Sequence, residues 1–213
     1  MDITWYGHAC FRLKGRQGVI VTDPYDKSLG LSLPSIKADI VTVSHDTPHH
    51  NNVAGIKGDF KVIDSPGEFE INDIFVTSIN MAAPNKSKGK NDHKNNIFVI
   101  YMEDITLCHL GDLSHVPNQS QVEDMDNIDV LMIPVGGKQA LNAAEAAEVI
   151  SLIEPYVVIP MHYDLPNLTT KFEPVGKFLK EMGISKDETV DSLKISKTTL
   201  PEETQVVLLE PKQ

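Results

Sequence analysis

Ser44-His45-Asp46-Thr47-Pro48-His49-His50-Asn51-Asn52 follows directly on the apolar, β-branched run Ile40-Val41-Thr42-Val43. Three of the chain's 8 histidines fall inside it. A strand that ends in a turn holding several imidazoles delivers them to one edge of a sheet, and neutral imidazole is the commonest side-chain metal ligand. The stretch therefore reads as a metal loop. The competing reading, a polar turn whose histidines are solvated or cap the next helix, fits poorly with so dense a cluster.

The same placement recurs twice further along. An apolar run at residues 105–110 ends at Gly111-Asp112, and another at 156–161 ends at His162-Tyr163-Asp164. His45, His49, His50, Asp112 and His162 thus all lie just beyond the carboxyl ends of predicted strands, where one sheet edge can gather them. Such N and O donors suit Zn²⁺, Mn²⁺ or Fe²⁺. His109 and His115, flanking Gly111-Asp112, read as structural histidines.

The rest of the chain supplies the frame. Residues 3–6, 10–14 and 18–22 are short runs with β-branched or aromatic residues, broken by Gly7, by Gly15 to Gly18 and by Asp23-Pro24. A loop with one helical turn is expected over 27–37. Strands are expected at 40–43, 61–64, 68–71, 74–79, 97–102 and 105–110, with Ser65-Pro66-Gly67 and Asn72-Asp73 as turns. The nearly unbroken apolar run 128–135 fits a strand buried on both faces. A helix follows, capped by Asn142 with Glu145 three residues on, and stopped at Glu154-Pro155. A buried strand at 156–161, a helix at 172–182 and a strand at 205–209 complete the pattern. Sheet runs first and strand-helix-strand units later suit a layered α/β fold with helices packed outside.

Composition narrows the function. With 213 residues and 41% hydrophobic content the chain can bury one sizeable core, and nothing between its ends has the composition of a linker. A single domain over 1–213 is expected. The amino terminus lacks the basic and apolar segments of a signal peptide, and no apolar run approaches the ~20 residues of a membrane span. A soluble cytoplasmic protein is expected. Cys10 and Cys108 stand far apart in apolar contexts and read as buried thiols. The net charge of −11 opposes general binding to nucleic acid or to an anionic membrane. Residues 83–96 carry Lys86, Lys88, Lys90 and Lys94 against the single acid Asp92. A solvated surface loop is the simpler reading, and attraction of an anionic substrate the functional one.

The loop H-D-T-P-H-H resembles the H-x-H-x-D-H signature of the metallo-β-lactamase superfamily. W-Y-G-H-A-C-F, T-D-P-Y, P-G-E-F-E, H-L-G-D-L-S-H, P-V-G-G and I-P-M-H-Y, in order from Trp5 to Tyr163, are similar to its small single-domain branch that includes the L-ascorbate-6-phosphate lactonases. The resemblance implies an αββα sandwich: two mixed β-sheets packed face to face, helices on both outer faces, and a metal site at one edge. There a metal-bound water attacks an ester, lactone, amide or phosphodiester.

Residue by residue, His45 matches the first histidine of the signature, Thr47 stands where the second belongs, His49 where the aspartate belongs, and His50 matches. Asp112 matches the aspartate that bridges two metals, and His162 the last histidine. The family also uses a histidine from the loop after the strand matching 74–79; here that loop reads Asn80-Met81-Ala82-Ala83, and no histidine occurs between His50 and His93. Glu68 of the P-G-E motif or His93 are the available substitutes. One metal, zinc first, is therefore expected through His50, Asp112 and His162, with His49 as a further donor. His8, in G-H-A, and Asp23, in T-D-P, match positions near the site and join Asp112 as catalytic candidates, by acid–base work or by orienting ligands.

The leading function is a metal-dependent hydrolase of a small anionic substrate, with self-association expected from the family although no interface is legible. The alternative is a catalytically degenerate relative acting as a binding or assembly scaffold. A nuclease of the same superfamily is disfavoured by the acidic charge and by the lack of an added nucleic-acid domain.

Overall fold

The structure, a computed structural model, describes residues 1–81, 94–125, 127–185 and 188–213. The loop expected at 83–96, with His93, lies almost wholly outside the described residues. Five strands open the chain: β1 (Asp2–Trp5), β2 (Phe11–Lys14), β3 (Val19–Thr22), β4 (Ile40–Thr42) and β5 (Lys61–Ile63). β6 (Gly67–Ile71), β7 (Ile74–Asn80), β8 (Asn96–Met102), β9 (Ile105–His109), β10 (Val130–Pro134) and β11 (Val157–Met161) follow, with helix α1 (Gln119–Glu123) before β10 and α2 (Ala143–Ile153) before β11. After α3 (Val175–Glu181) come the short strands β12 (Thr189–Val190), β13 (Leu193–Lys194), β14 (Gln205–Val206) and β15 (Leu208–Leu209).

These build two mixed sheets, ordered β13-β1-β2-β3-β4-β5 and β14-β11-β10-β9-β8-β7-β6, with β12 and β15 paired separately. One contiguous core joins them, from Trp5, Ile20 and Val41 in the first sheet to Ile100, Leu107 and Leu131 in the second. Both cysteines are buried in it and unpaired. Among the described residues no helix is long and apolar enough to cross a membrane.

Strand direction sets the position of the site. β2 is antiparallel to both β1 and β3, and β3 is parallel to β4, so β1, β3 and β4 run the same way. β9, β10 and β11 are mutually parallel in the other sheet. Two prolines shape the rim at the end of that second set. Val158 accepts from Val207, just beyond β14, and Met132 from Leu110, just beyond β9, so Pro160 and Pro134, two residues further on, lie past the last paired residues of those two ladders. Proline, which has no N–H to give a ladder, is accommodated at such strand ends.

Helix α2 forms as the capping pattern requires. Asn142 Oδ1 accepts from the N–H groups of Ala144 and Glu145, and the Glu145 carboxylate accepts from the Asn142 N–H. Its apolar stripe, Ala143, Ala146, Val149 and Ile150, is buried. α3 is shorter than its sequence pattern, beginning at Val175 and not at Phe172. Pro174 explains this, since a proline drives the residue before it out of the helical region. The run expected as one strand at 205–209 divides between β14 in the second sheet and β15 on β12.

Candidate metal centre

Both sheets send donors to one rim. His8 follows β1, Asp23 follows β3, and the loop holding His45, His49 and His50 follows β4; Asp112 follows β9 and His162 follows β11. His8 (φ 52), Asp23 (φ 40) and His162 (φ 55) all adopt left-handed backbone. That geometry costs a non-glycine residue about 1–2 kcal/mol and persists where surroundings enforce it, often at functional sites. The enforcement is visible: the His8 carbonyl accepts from the Trp5 indole at 3.0 Å and from the His162 N–H at 3.1 Å.

The histidines are oriented from behind. His50 Nδ1 lies 2.9 Å from Asp23 Oδ2. The same carboxylate accepts from the Ser44 N–H at 2.7 Å and from the Ser44 hydroxyl at 2.6 Å. His50 Nε2 is thereby aimed at His8 Nε2, 3.0 Å away, and at Asp112 Oδ2, 3.4 Å away. Asp112 Oδ1 stands 3.1 Å from His162 Nε2. Asp112 is positioned in turn by Asn95, whose Oδ1 accepts the Asp112 N–H at 2.8 Å and whose Nδ2 donates to the Leu110 carbonyl at 3.0 Å. Between them, Gly111 (φ 56) has no room for a side chain: a Cβ would overlap Asn95 Oδ1 and come within 2.6 Å of Ser44 Cβ.

His8, His50, Asp112 and His162 each present one donor atom within 4.8 Å of every other. His8 replaces His49 in the set expected from sequence. His49 is half-buried on the wall, its ring edge-on to His8 with centroids 6.1 Å apart. His45 stands beside the set, with Nε2 3.6 Å from Asp112 Oδ2 and 3.3 Å from Thr47 Oγ1. Glu68 is exposed on β6, away from this group. His109 is buried and bonds the Ala9 carbonyl at 2.9 Å, a structural role. The sequence marks His8 as a residue near the site, through the G-H-A motif, but not as a donor; its membership depends on β1 running parallel to β3 and β4.

Charge follows the geometry. Burial opposes a proton on His50, but the carboxylates of Asp112 and Asp23 outweigh it and raise its pKa to about 10. Burial, then the neighbouring His162 and His50, push His8 well below the usual histidine range. Burial and His50 bring His45 down to about 4. Burial would raise both aspartates, yet His162 and His50 hold Asp112 well below the usual carboxylate range, and His50 lowers Asp23.

These residues fit a divalent transition metal. The facing nitrogens of His8 and His50 can share only one proton, and Asp112 Oδ1 accepts no aligned hydrogen bond despite its burial. Ligands about 2.0–2.2 Å from a tetrahedral zinc stand roughly 3.3–3.6 Å from one another, close to the 3.0, 3.1 and 3.4 Å separations here. An imidazole backed by a carboxylate, as His50 is by Asp23, is the usual support of a metal ligand. The set lines a cavity of about 650 Å³ whose other walls include His49, Lys138, Thr170 and Phe172.

Known proteins share this arrangement of chain. The model of a beta-lactamase superfamily domain matches residues 2–162. A crystal structure from Thermotoga maritima, of a candidate Zn-dependent hydrolase of the metallo-β-lactamase superfamily, is 39% identical, with 98% of this chain and 97% of that one covered and a TM-score of 0.81. A metal-dependent hydrolase from Thermoplasma acidophilum is 27% identical over 189 residues, 77% of this chain and 84% of its own length. A metallo hydrolase from Ignicoccus hospitalis, 17% identical with a TM-score of 0.65 over 92% of this chain and 99% of its own, shares the fold. On the family match and the 39% identity over nearly its whole length, the chain belongs to the metallo-β-lactamase superfamily.

Proposed function

We propose that this protein is a metal-dependent hydrolase of a small anionic ester, lactone or phosphodiester. One divalent transition ion, Zn²⁺ first and Mn²⁺ or Fe²⁺ next, is held by His8, His50, Asp112 and His162. The observation that carries the reading is the convergence of three buried imidazoles and a carboxylate from two different sheets on one cavity. When bound, the ion would admit water to its shell beside these four donors and would supply Lewis-acid activation of that water and of the scissile carbonyl or phosphoryl group. The names of the relatives support hydrolysis, and the similarity to the lactonases makes lactones one arm of the substrate panel.

The chain's own residues divide the remaining work. Asp23 is fully buried behind His50 and orients it, so it positions and does not exchange protons with substrate. Asp112, half-buried at the cavity floor and ionised, can accept a hydrogen bond from the attacking water and so orient it. His45, neutral near pH 7, offers Nε2 as a second acceptor beside it. With Thr47 where the superfamily places an imidazole, the His45 side is too poor in donors for a second firmly held ion.

Elemental analysis of protein purified without chelators tests this, run beside Asp112→Ala and with phosphodiester, lactone and ester assays. One ion per chain, lost in Asp112→Ala, with weak metal-dependent turnover, is expected. A chain that carries no ion and turns over nothing is instead the degenerate scaffold, and two ions per chain would mean the donor set is misassigned.

A further inference from the structure

Lys138 leaves the Gly136-Gly137 turn beyond β10 with left-handed backbone (φ 63), and its side chain is exposed at the lip of the cavity. Its Nζ sits over the Phe172 ring, 5.4 Å from the centroid. Phe172 in turn packs against His162, with centroids 4.5 Å apart at 64°, and against His8 at 5.7 Å. One aromatic ring thus separates a surface ammonium from the donor set. The carboxylate beside Gly137, that of Glu173, bonds Lys177 at 2.7 Å. Asp112 is engaged by the histidines. Among the described residues no carboxylate is paired with Lys138. On a chain of net charge −11, an unpaired ammonium on the wall of a concave site favours anions there against the overall field.

We infer that Lys138 and Phe172 form the specificity element of this cavity: Lys138 takes an oxyanion of the ligand, and Phe172 packs the apolar or planar part beside it. The inference rests on the hydrolase reading for its place in a reaction, but the binding it describes needs no turnover. An ammonium is a compact point charge without the planar fork that selects bidentate partners, so carboxylate and phosphate are both served.

Calorimetric binding of phenyl phosphate, benzoate and neutral benzyl alcohol to the protein as purified separates these contributions. Both anions are expected to bind more tightly than the alcohol. Lys138→Gln should weaken both at least tenfold and leave the alcohol unchanged, Lys138→Arg should retain them, and Phe172→Leu should weaken all three. A loss confined to phenyl phosphate narrows the ligand to phosphates, and one confined to benzoate narrows it to carboxylates. Anion binding that is absent, or indifferent to Lys138→Gln, overturns the inference. Turnover read on the same variants keeps the two ideas apart. Lys138-dependent binding without hydrolysis of any ester leaves the subsite standing and removes the hydrolase reading. Hydrolysis whose KM for anionic and neutral esters ignores Lys138→Gln does the reverse.

Discussion

Asp23 accepts from His50 Nδ1 at 2.9 Å while also accepting from the backbone and hydroxyl of Ser44, so one buried carboxylate fixes both the tautomer of a candidate ligand and the start of its loop. All three bonds need acceptors. An asparagine tolerates the left-handed backbone but brings an NH₂ where only lone pairs fit. Asp23→Asn should therefore fold and yet hold metal roughly 10–100-fold more weakly, the usual effect of removing a group that supports a ligand. Competition against a chelator of known affinity measures it, and unchanged affinity would exclude the orienting role.

Metal loading should release a proton. In the metal-free protein His50 titrates at about 10, so near pH 7.5 it is protonated, while His8 and His45 are already neutral and Asp112 already ionised. An ion on His50 Nε2 displaces that proton, and about one proton per ion is expected from this residue. Calorimetry in two buffers of different ionisation enthalpy counts it. Affinity should climb with pH toward about 10. Stability of the metal-free protein moves the other way: the folded pKa lies above the ordinary histidine value of ~6.5, so the contribution is complete below that pH and is lost as pH rises through about 10. A metal-free protein whose thermal midpoint is flat or rising over that window would contradict the assigned charge.

Much of this was legible in the sequence, and the reason is that strand ends can be read locally. His45, His50, Asp112 and His162 each follow an apolar run that does become a strand, and the helix over 143–153 carries its own capping signals. His8 was readable, through G-H-A, as a residue near the site but not as a donor, because that depends on pairing between β1, β2 and β3 and a lone histidine after a short strand carries no local signature of a ligand. Asp23 was readable as a residue near the site but not as the partner of His50, 27 positions away. The late start of α3 was available in principle, since Pro174 disfavours helical backbone at Glu173.

Gly111→Ala should damage stability and site together. The left-handed backbone alone costs alanine about 1–2 kcal/mol, and overlap with Asn95 and Ser44 adds to it. A thermal midpoint lowered by several degrees is expected, at roughly 2–4 °C per kcal/mol for a chain of this size. Because Asn95 also holds Asp112, metal content should fall in parallel. A variant with wild-type midpoint and full metal would show that Asn95 does not fix the Asp112 loop.

Thr47→His should enrich the poorer side of the centre. Thr47 Oγ1 lies 3.3 Å from His45 Nε2, and His45 Nε2 lies 3.6 Å from Asp112 Oδ2, so an imidazole at 47 would add a donor beside two existing ones. The ion-to-protein ratio should rise above that of the native chain in excess Zn²⁺. A ratio unchanged at saturating zinc would place the limit elsewhere than at Thr47.

The donors come in pairs from separate halves of the chain, His8 and His50 from the first sheet and Asp112 and His162 from the second. A half-folded chain in which only one sheet has formed owns half a site and holds an ion weakly. The ion would then bind the native state and stabilise it by mass action, without nucleating either sheet. The rate at which a refolding chain captures metal would report when the two sheets dock, and the bound ion would act as a staple across the interface that the hydrophobic core closes from the other side.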